Sequence, residues 1–117
     1  MGIFSILKIG RVKVEGPSME PALYSGDWLA VRWLSPQHDA KAKPLVQHGD
    51  IVLVERLKQP GIFYIKRLTA TQDEAKMGFQ LWVEGDNPSG TDSRSWGWLE
   101  RGEVVGKVLF RYKKAKR

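Results

Sequence analysis

The chain has 117 residues, a length that allows one domain with one modest core and leaves no room for a second. Its 19 lysines and arginines exceed its 13 aspartates and glutamates, and the formal charge of +6 permits a nucleic acid, an anionic membrane surface or an acidic protein as partner. It contains no cysteine, which excludes a disulfide framework, a thiolate metal site and a cysteine nucleophile.

Residues 1–12 form an N-terminal segment whose apolar stretch, IFSILKI, is far shorter than the ~20 residues that a membrane-spanning helix needs. The segment also lacks the basic leader, the longer apolar region and the small-residue cleavage site of a secretory signal. We therefore predict no transmembrane segment and a cytoplasmic protein. Peripheral membrane contact is the alternative to packing on the domain for four apolar residues: Ile3, Phe4, Ile6 and Leu7.

Apolar residues that alternate with polar ones dominate the rest of the chain. DWLAVRWL places Leu29, Val31 and Trp33 on one strand face, and GDIVLVERL, GIFYIKRL, FQLWVEG and EVVGKVLFRY repeat the strand pattern. These segments predict a single, mainly β domain with a core at 13–110 and a solvated basic tail at 111–117. The one candidate for a helix longer than a single turn is TQDEAKMG, residues 71–78, which also suits a hairpin loop.

A polar, proline-punctuated stretch at residues 35–48 is predicted to be an exposed loop. It contains both histidines of the chain, His38 and His48, outside any strand pattern and without a distinctive acidic partner. Neither is predicted to be a catalytic base, and together they lack the further ligands of a metal site. We predict no metal and no cofactor.

One serine lies in an unusually stiff frame, the segment VEGPSMEP. Pro17 and Pro21 restrict φ on either side of Ser18, and Gly16 allows a backbone geometry that a side chain would forbid. A serine held in this way can be presented for nucleophilic attack, and it can equally be part of an ordinary turn. As a nucleophile it would need a base.

Lys66 is the candidate base, because the alternation in IFYIKRL places it on an apolar strand face with Ile62, Tyr64 and Leu68. The alternative is a structural lysine whose ammonium reaches water at the strand edge. With a reference pKa near 10.4, only about one lysine in a thousand is neutral at pH 7. A shift of about 3 units, or about 4 kcal/mol, would have to come from burial.

Four segments follow the order and style of the sequence boxes of type I signal peptidases, which are serine-lysine dyad proteases: VEGPSMEPALYSGDWLAV, GDIVLVE, FYIKRL and VEGDNPSGTDSRSWG. The chain resembles that family from Val14 to about Val108. The resemblance implies a signal-peptidase-like and LexA-like catalytic core of coiled antiparallel sheets with little helix.

The resemblance also implies roles for individual residues. Ser18 corresponds to the nucleophile and Lys66 to the general base, with backbone from Gly16 and Ser18 forming the oxyanion hole. The family's Asp-Ser-Arg triplet implies an ion pair and hydroxyl contacts beside the dyad from Asp92, Ser93 and Arg94. Many members have a further serine that contacts the lysine, but Gly90 occupies that position here. The hydrogen-bond partner of the lysine stays open among Ser89, Thr91 and Ser93.

The substrate implied by the resemblance is a precursor polypeptide with small residues at the cleavage point. It would lie as an added strand between KVEG and GIFYI, against Val14, Glu15, Phe63 and Tyr64. The missing anchor and the short stretch after the lysine box resemble the small soluble branch that includes the maturation protease of nickel-type superoxide dismutase.

Three alternatives stay open. One is a signal-peptidase-like protease for other exported or membrane precursors, and another is a LexA-type protein that cleaves only itself. The third is a non-catalytic basic β module that binds RNA through tryptophans, although we expect no nucleic acid. The tryptophans in question are Trp28, Trp33, Trp82, Trp96 and Trp98.

Overall fold

The computed structural model describes residues 8–34 and 46–116. The predicted membrane-contact residues Ile3 to Leu7 and the loop histidine His38 lie outside this range. In chain order the elements are β1 (Lys8–Lys13), β2 (Trp28–Trp33), β3 (Ile51–Glu55), β4 (Phe63–Glu74), β5 (Gly78–Glu84), α1 (Ser93–Trp96), β6 (Leu99–Glu100), a 3₁₀ turn (Arg101–Glu103) and β7 (Val104–Lys113).

The strands form one antiparallel sheet in the order β1-β2-β7-β3-β4-β5-β6. The predicted mainly β fold is confirmed, and each of the five predicted strands is present. The sheet also contains β1 and the two-residue β6, and β7 continues to Lys113, so ordered strand extends beyond both ends of the predicted core. None of the described helices is long and apolar enough to cross a membrane.

Residues 71–78 form a hairpin, so the hairpin alternative is confirmed and the helix alternative is wrong. β4 continues to Glu74, and Glu74 faces Gly78 across the turn. The Glu74 carboxylate accepts hydrogen bonds from the backbone N–H groups of Lys76, at 3.0 Å, and Met77, at 2.7 Å. These bonds satisfy the turn's own donors and hold the strands in register.

Two apolar clusters lie on opposite faces of the sheet. The first packs residues of β3, β4, β5 and β6, including Val52, Leu68 and Leu81. The second packs β2 and β3 against the segment between β1 and β2, which contributes Met19 and Leu23. The segment that contains Ser18 is therefore fastened to the sheet by its own buried side chains.

The buried carboxylate of Asp27 links the segment between β1 and β2 to β7 and to the residues that follow it. Its side chain has 0% exposure and accepts hydrogen bonds from the backbone N–H groups of Tyr24, at 2.9 Å, and Ala115, at 2.8 Å. The Arg111 guanidinium lies 3.2 Å from the same carboxylate. Loss of the carboxylate would leave these donors without this acceptor.

We expect Asp27→Ala to lower the free energy of unfolding by about 3 kcal/mol, because the substitution removes a buried carboxylate that accepts two backbone hydrogen bonds and pairs with Arg111. Denaturant unfolding followed by tryptophan fluorescence measures this change. The exposed Asp73 of β4 provides the matched control, for which Asp73→Ala should change stability by less than about 0.5 kcal/mol. Equal effects of the two substitutions would contradict the anchoring role of Asp27.

Candidate active site

Ser18 lies in a tight turn that is held by a backbone hydrogen bond and by a buried neighbouring side chain. The N–H of Glu20 donates to the carbonyl of Pro17 at 3.0 Å, and the Met19 side chain is buried at 1% exposure in the second apolar cluster. Gly16 has a φ of +80°, a conformation that L side chains disfavour. Ser18 itself is half-buried, and its backbone N–H donates to none of the described residues.

The loop after β5 packs directly on this turn. The N–H of Asn87 donates to the carbonyl of Ser18 at 2.8 Å. A Cβ atom built on Gly85 would lie 2.7 Å from the Ser18 carbonyl oxygen and 3.5 Å from the Ser18 Cβ. Any side chain at position 85 would therefore push the loop away from the turn.

Lys66 lies in β4 on the face that the sequence pattern predicted. The register of β3 and β4 pairs Lys66 with Val52 and Tyr64 with Val54, and Leu68 on the same face is fully buried. The Lys66 side chain has only 2% exposure. The structure therefore agrees with a lysine buried on an apolar strand face and not with one that reaches bulk water.

Lys66 and Ser18 both lie close to Gly90. A Cβ atom built on Gly90 would lie 3.8 Å from Lys66 Nζ and 3.8 Å from Ser18 Cβ. Both atoms border the same small space, and they are at most twice that distance apart. No hydrogen bond joins the two side chains among the described contacts.

Burial is the main influence on the Lys66 amine. Desolvation lowers its pKa, the carboxylate of Asp92 raises it to a smaller extent, and the guanidinium of Arg94 lowers it further, so that the net shift is downward. Lys66 Nζ is 6.0 Å from the centre of the Tyr64 ring. Among the described residues, none forms an ion pair with it.

Asp92 and Arg94 form the ion pair that the TDSR segment predicted. The Arg94 Nε donates to Asp92 Oδ1 at 3.0 Å, and its Nη2 donates to Oδ2. The Asp92 carboxylate, at 2% exposure, also accepts from the backbone N–H groups of Gly85, at 2.9 Å, and Arg94, at 3.0 Å. Burial alone would raise the pKa of Asp92, but these hydrogen bonds and the charge of Arg94 lower it to about 2.

The three candidate hydroxyls for a contact with Lys66 differ in their surroundings. Ser93 is fully buried, and its Oγ accepts a hydrogen bond from the N–H of Val83 in β5 at 2.9 Å. Ser89 and Thr91 are exposed. None of the three is hydrogen-bonded to Lys66 within the described part of the chain.

A second ion pair fixes the same loop, and the sequence interpretation did not include it. Arg67, the neighbour of Lys66, donates through Nε and Nη2 to the two oxygens of Asp86, both at 2.8 Å. Its Nη1 donates to the carbonyl of Gly49 at 2.8 Å. The available signal was the Gly-Asp pair at 85–86, which the pattern alone identifies only as a turn.

The four residues predicted to flank a substrate strand lie in different situations. Phe63 and Tyr64 belong to a stretch of β4 that pairs with β3 on one side, whereas pairing with β5 begins only at Arg67. Val14 is buried, and both its backbone groups are bonded, to Asp27 and Gly26, at 2.8 Å each. Glu15 is exposed.

A family model described as Signal peptidase, peptidase S26, matches residues 1–75, well over half of the chain. The chain belongs to the signal peptidase family. The matched range includes Ser18 and Lys66 and ends before Asp92. A search of curated proteins finds no match. Membership in this peptidase family makes a signal-peptidase-like serine protease the general class of the protein and a precursor polypeptide its general class of substrate.

The tryptophans of this signal peptidase family member are largely packed against other rings. Trp82 contacts Trp98 at 5.3 Å between ring centres, Trp96 contacts Tyr64 at 4.9 Å, and Trp33 contacts Phe63 at 6.0 Å. Trp98 is the one tryptophan among the exposed apolar residues of the described chain. Such packing does not favour a platform of free rings for RNA bases.

The described residues include no group of three histidine, aspartate or glutamate side chains close enough to hold a metal ion. His48, the one histidine in the described range, is exposed in the turn before β3.

The Asp92 pKa predicts how this pair affects stability. A folded-state pKa of about 2 against 3.8 unfolded stabilises the fold by about 2 kcal/mol above pH 4, and this contribution disappears as the pH falls towards 2. The difference in unfolding free energy between the wild type and Asp92→Asn should therefore shrink over that interval. Denaturant titrations at several pH values measure it, and a difference that stays constant from pH 5 to 2 would contradict the assignment.

Proposed function

We propose that this signal peptidase family member is an endopeptidase with Ser18 as nucleophile and Lys66 as general base. One observation carries the proposal: Lys66, a residue with 2% exposure, has its amine beside Gly90, and the half-buried Ser18 borders the same glycine. A lysine that serves only to solubilise a surface gains nothing from such burial. A lysine that must accept a proton requires it, because desolvation favours the neutral amine.

The reaction is acyl transfer. Neutral Lys66 takes the proton of the Ser18 hydroxyl, and the serine oxygen attacks the carbonyl carbon of the substrate peptide bond. The protonated lysine then gives its proton to the leaving amine, and the acyl group stays on Ser18 as an ester. A water molecule, deprotonated by Lys66, hydrolyses this ester and restores the serine.

The oxyanion is stabilised by backbone donors of the turn. The N–H of Ser18 has no acceptor among the described residues, and Pro17 has no N–H to donate, which favours Ser18 and the backbone near Gly16 as the donors. Each donor of this kind typically contributes about 3 kcal/mol to transition-state stabilisation.

The Asp-Ser-Arg triplet supports the dyad in two ways. Asp92 raises the pKa of Lys66, and its ion pair with Arg94 limits this effect, so the pair organises the loop without fixing the lysine in its charged form. Ser93 fastens the same region to β5 through its hydrogen bond with Val83.

The substrate lies as an added strand between the segment that contains Glu15 and the stretch of β4 around Phe63 and Tyr64. On the side that β5 leaves open, the backbone of that stretch pairs with none of the described strands, which suits an extended peptide. Since both backbone groups of Val14 are occupied, Val14 contributes packing, whereas Glu15 is available for the peptide.

The precursor proposed for testing first is that of nickel-type superoxide dismutase, from which a short N-terminal leader would be removed in the cytoplasm. This choice depends on the resemblance of the chain to the small soluble branch of the family. Other exported or membrane precursors are the second candidates, and small residues are expected at the cleavage point.

Ser18→Ala and Lys66→Ala should each abolish cleavage of the precursor, because each removes one half of the dyad. Incubation of the purified proteins with the superoxide dismutase precursor, followed by intact-mass measurement, detects loss of the leader. The exposed Ser25→Ala and Lys58→Ala provide matched controls and should cleave like the wild type. Circular dichroism is used to check that each variant is folded. Undiminished cleavage by either folded dyad variant would refute the proposal.

The rate of cleavage should rise with pH as Lys66 loses its proton, because the amine acts as a base only when it is neutral. The downward shift of the Lys66 pKa places this rise below the ordinary range of lysine. Initial rates measured between pH 6 and 10 test this expectation, with folding verified at each pH. A flat profile over the whole interval would argue against lysine as the base.

A further inference from the structure

The three strands at the β1 end of the sheet carry a net positive charge. β1, β2 and β7 contain no aspartate or glutamate. Their lysines and arginines are Lys8, Arg11, Lys13, Arg32, Lys107, Arg111 and Lys113. Much of the chain's net charge of +6 is therefore concentrated in one part of the fold.

The strand register places several of these cations on the face opposite the second apolar cluster. Arg11 lies opposite Ala30, which lies opposite Phe110, and these positions alternate with the buried Leu29 and Val31. In the same register Ile9 pairs with Arg32, and Trp28 pairs with Lys13 on one side and with Lys113 on the other. We name this surface the basic face and define it by Ile9, Arg11, Lys13, Arg32, Phe110 and Lys113.

Two cations of these strands outside the basic face have carboxylate partners. Lys107 lies 3.4 Å from Asp50, and Arg111 lies 3.2 Å from Asp27. The four cations of the basic face form no ion pair with a described carboxylate. Two apolar side chains beside them are also uncovered, Ile9 with 64% exposure and Phe110 with 59%. The surface is thus complementary to a ligand that is both acidic and partly apolar.

The basic face lies on the same sheet face as Lys66, because the cross-strand row of Ile9 and Arg32 continues through Lys107 and Val52 to Lys66. β1 is the terminal strand of the sheet and leads directly into the segment of Glu15 and Ser18. Arg11 and Lys13 are seven and five residues before Ser18 in the sequence. A polypeptide that extends from the site along this edge would pass both cations.

We propose that the basic face binds an acidic segment of the precursor that flanks the cleavage site, with apolar residues between its carboxylates. This inference depends on the proposed function for the position of the substrate. The face then acts as a specificity element: it strengthens binding of acidic precursors and leaves the chemistry at Ser18 unchanged. Since Arg11, Lys13 and Lys113 are exposed, the effect should weaken as salt screens them.

The test uses three fluorescein-labelled peptides with one cleavage sequence, extended by a Glu-Leu-Glu-Leu-Glu segment upstream, by the same segment downstream, or by Gln-Leu-Gln-Leu-Gln upstream. Binding to full-length Ser18→Ala is measured by fluorescence anisotropy, which does not require catalysis. At least one acidic peptide should bind about fivefold more tightly than the glutamine peptide at low salt, from two or three exposed ion pairs. The preference should be largely lost in 0.5 M salt.

The double variant Arg11→Gln/Lys13→Gln, made in the Ser18→Ala background, should lose this preference. Lys58→Gln/Lys76→Gln removes the same charge from two exposed turn lysines and should retain it. In the active protein, Arg11→Gln/Lys13→Gln should raise KM for the preferred acidic peptide and leave kcat and the cleavage of the glutamine peptide unchanged.

Equal affinity for all three peptides, or equal losses in the two double variants, would overturn the basic face as a precursor site. So would selective loss of binding to phosphatidylglycerol vesicles or single-stranded RNA in Arg11→Gln/Lys13→Gln without any loss of peptide binding, because that result assigns the face to a different partner. Preferred binding of an acidic peptide that the active protein does not cleave would contradict the proposed catalytic function while supporting the binding site.

Discussion

The burial of one amine, that of Lys66, is the constraint on which the rest of the site depends. An ammonium on an apolar strand face is unfavourable, and desolvation lowers its pKa more than the nearby Asp92 carboxylate raises it. The apolar clusters on the two faces of the sheet offset the free energy lost by burying this ammonium. Val52 and Leu68, which lie beside the lysine, are fully buried members of the first cluster. In the proposed mechanism, this burial keeps the Lys66 amine able to accept a proton.

The loop between β5 and α1 connects the two halves of the candidate site. Arg67 holds it through Asp86, the Asn87 N–H holds it to the Ser18 carbonyl, and Asp92 accepts from the Gly85 N–H. The glycines at 85 and 90 allow the loop to approach the serine turn and the lysine closely. The position of Ser18 relative to Lys66 therefore depends on contacts among three segments that are distant in the sequence.

Alternating side chains predicted the mainly β fold, the five principal strands and the apolar strand face on which Lys66 lies, because burial on one side of a strand imposes a period of two. The strand β1 was not predictable in this way, since KIGRVK alternates weakly and its strand geometry comes from pairing with β2. The Arg67–Asp86 pair and the contact between Asn87 and Ser18 were also inaccessible, because tertiary packing creates them. The resemblance of TDSR to the family's Asp-Ser-Arg triplet did imply the Asp92–Arg94 pair.

The most direct measurement of the central claim is the pKa of the Lys66 side chain itself, from an NMR titration of lysines labelled at Cε, with Lys66→Arg to assign the signal. We expect Lys66 to titrate clearly below the reference pKa of lysine, about 10.4, because its amine is desolvated. A Lys66 signal that titrates at that reference value would show that the amine carries its charge at neutral pH. That result would contradict the account of Lys66 as a base.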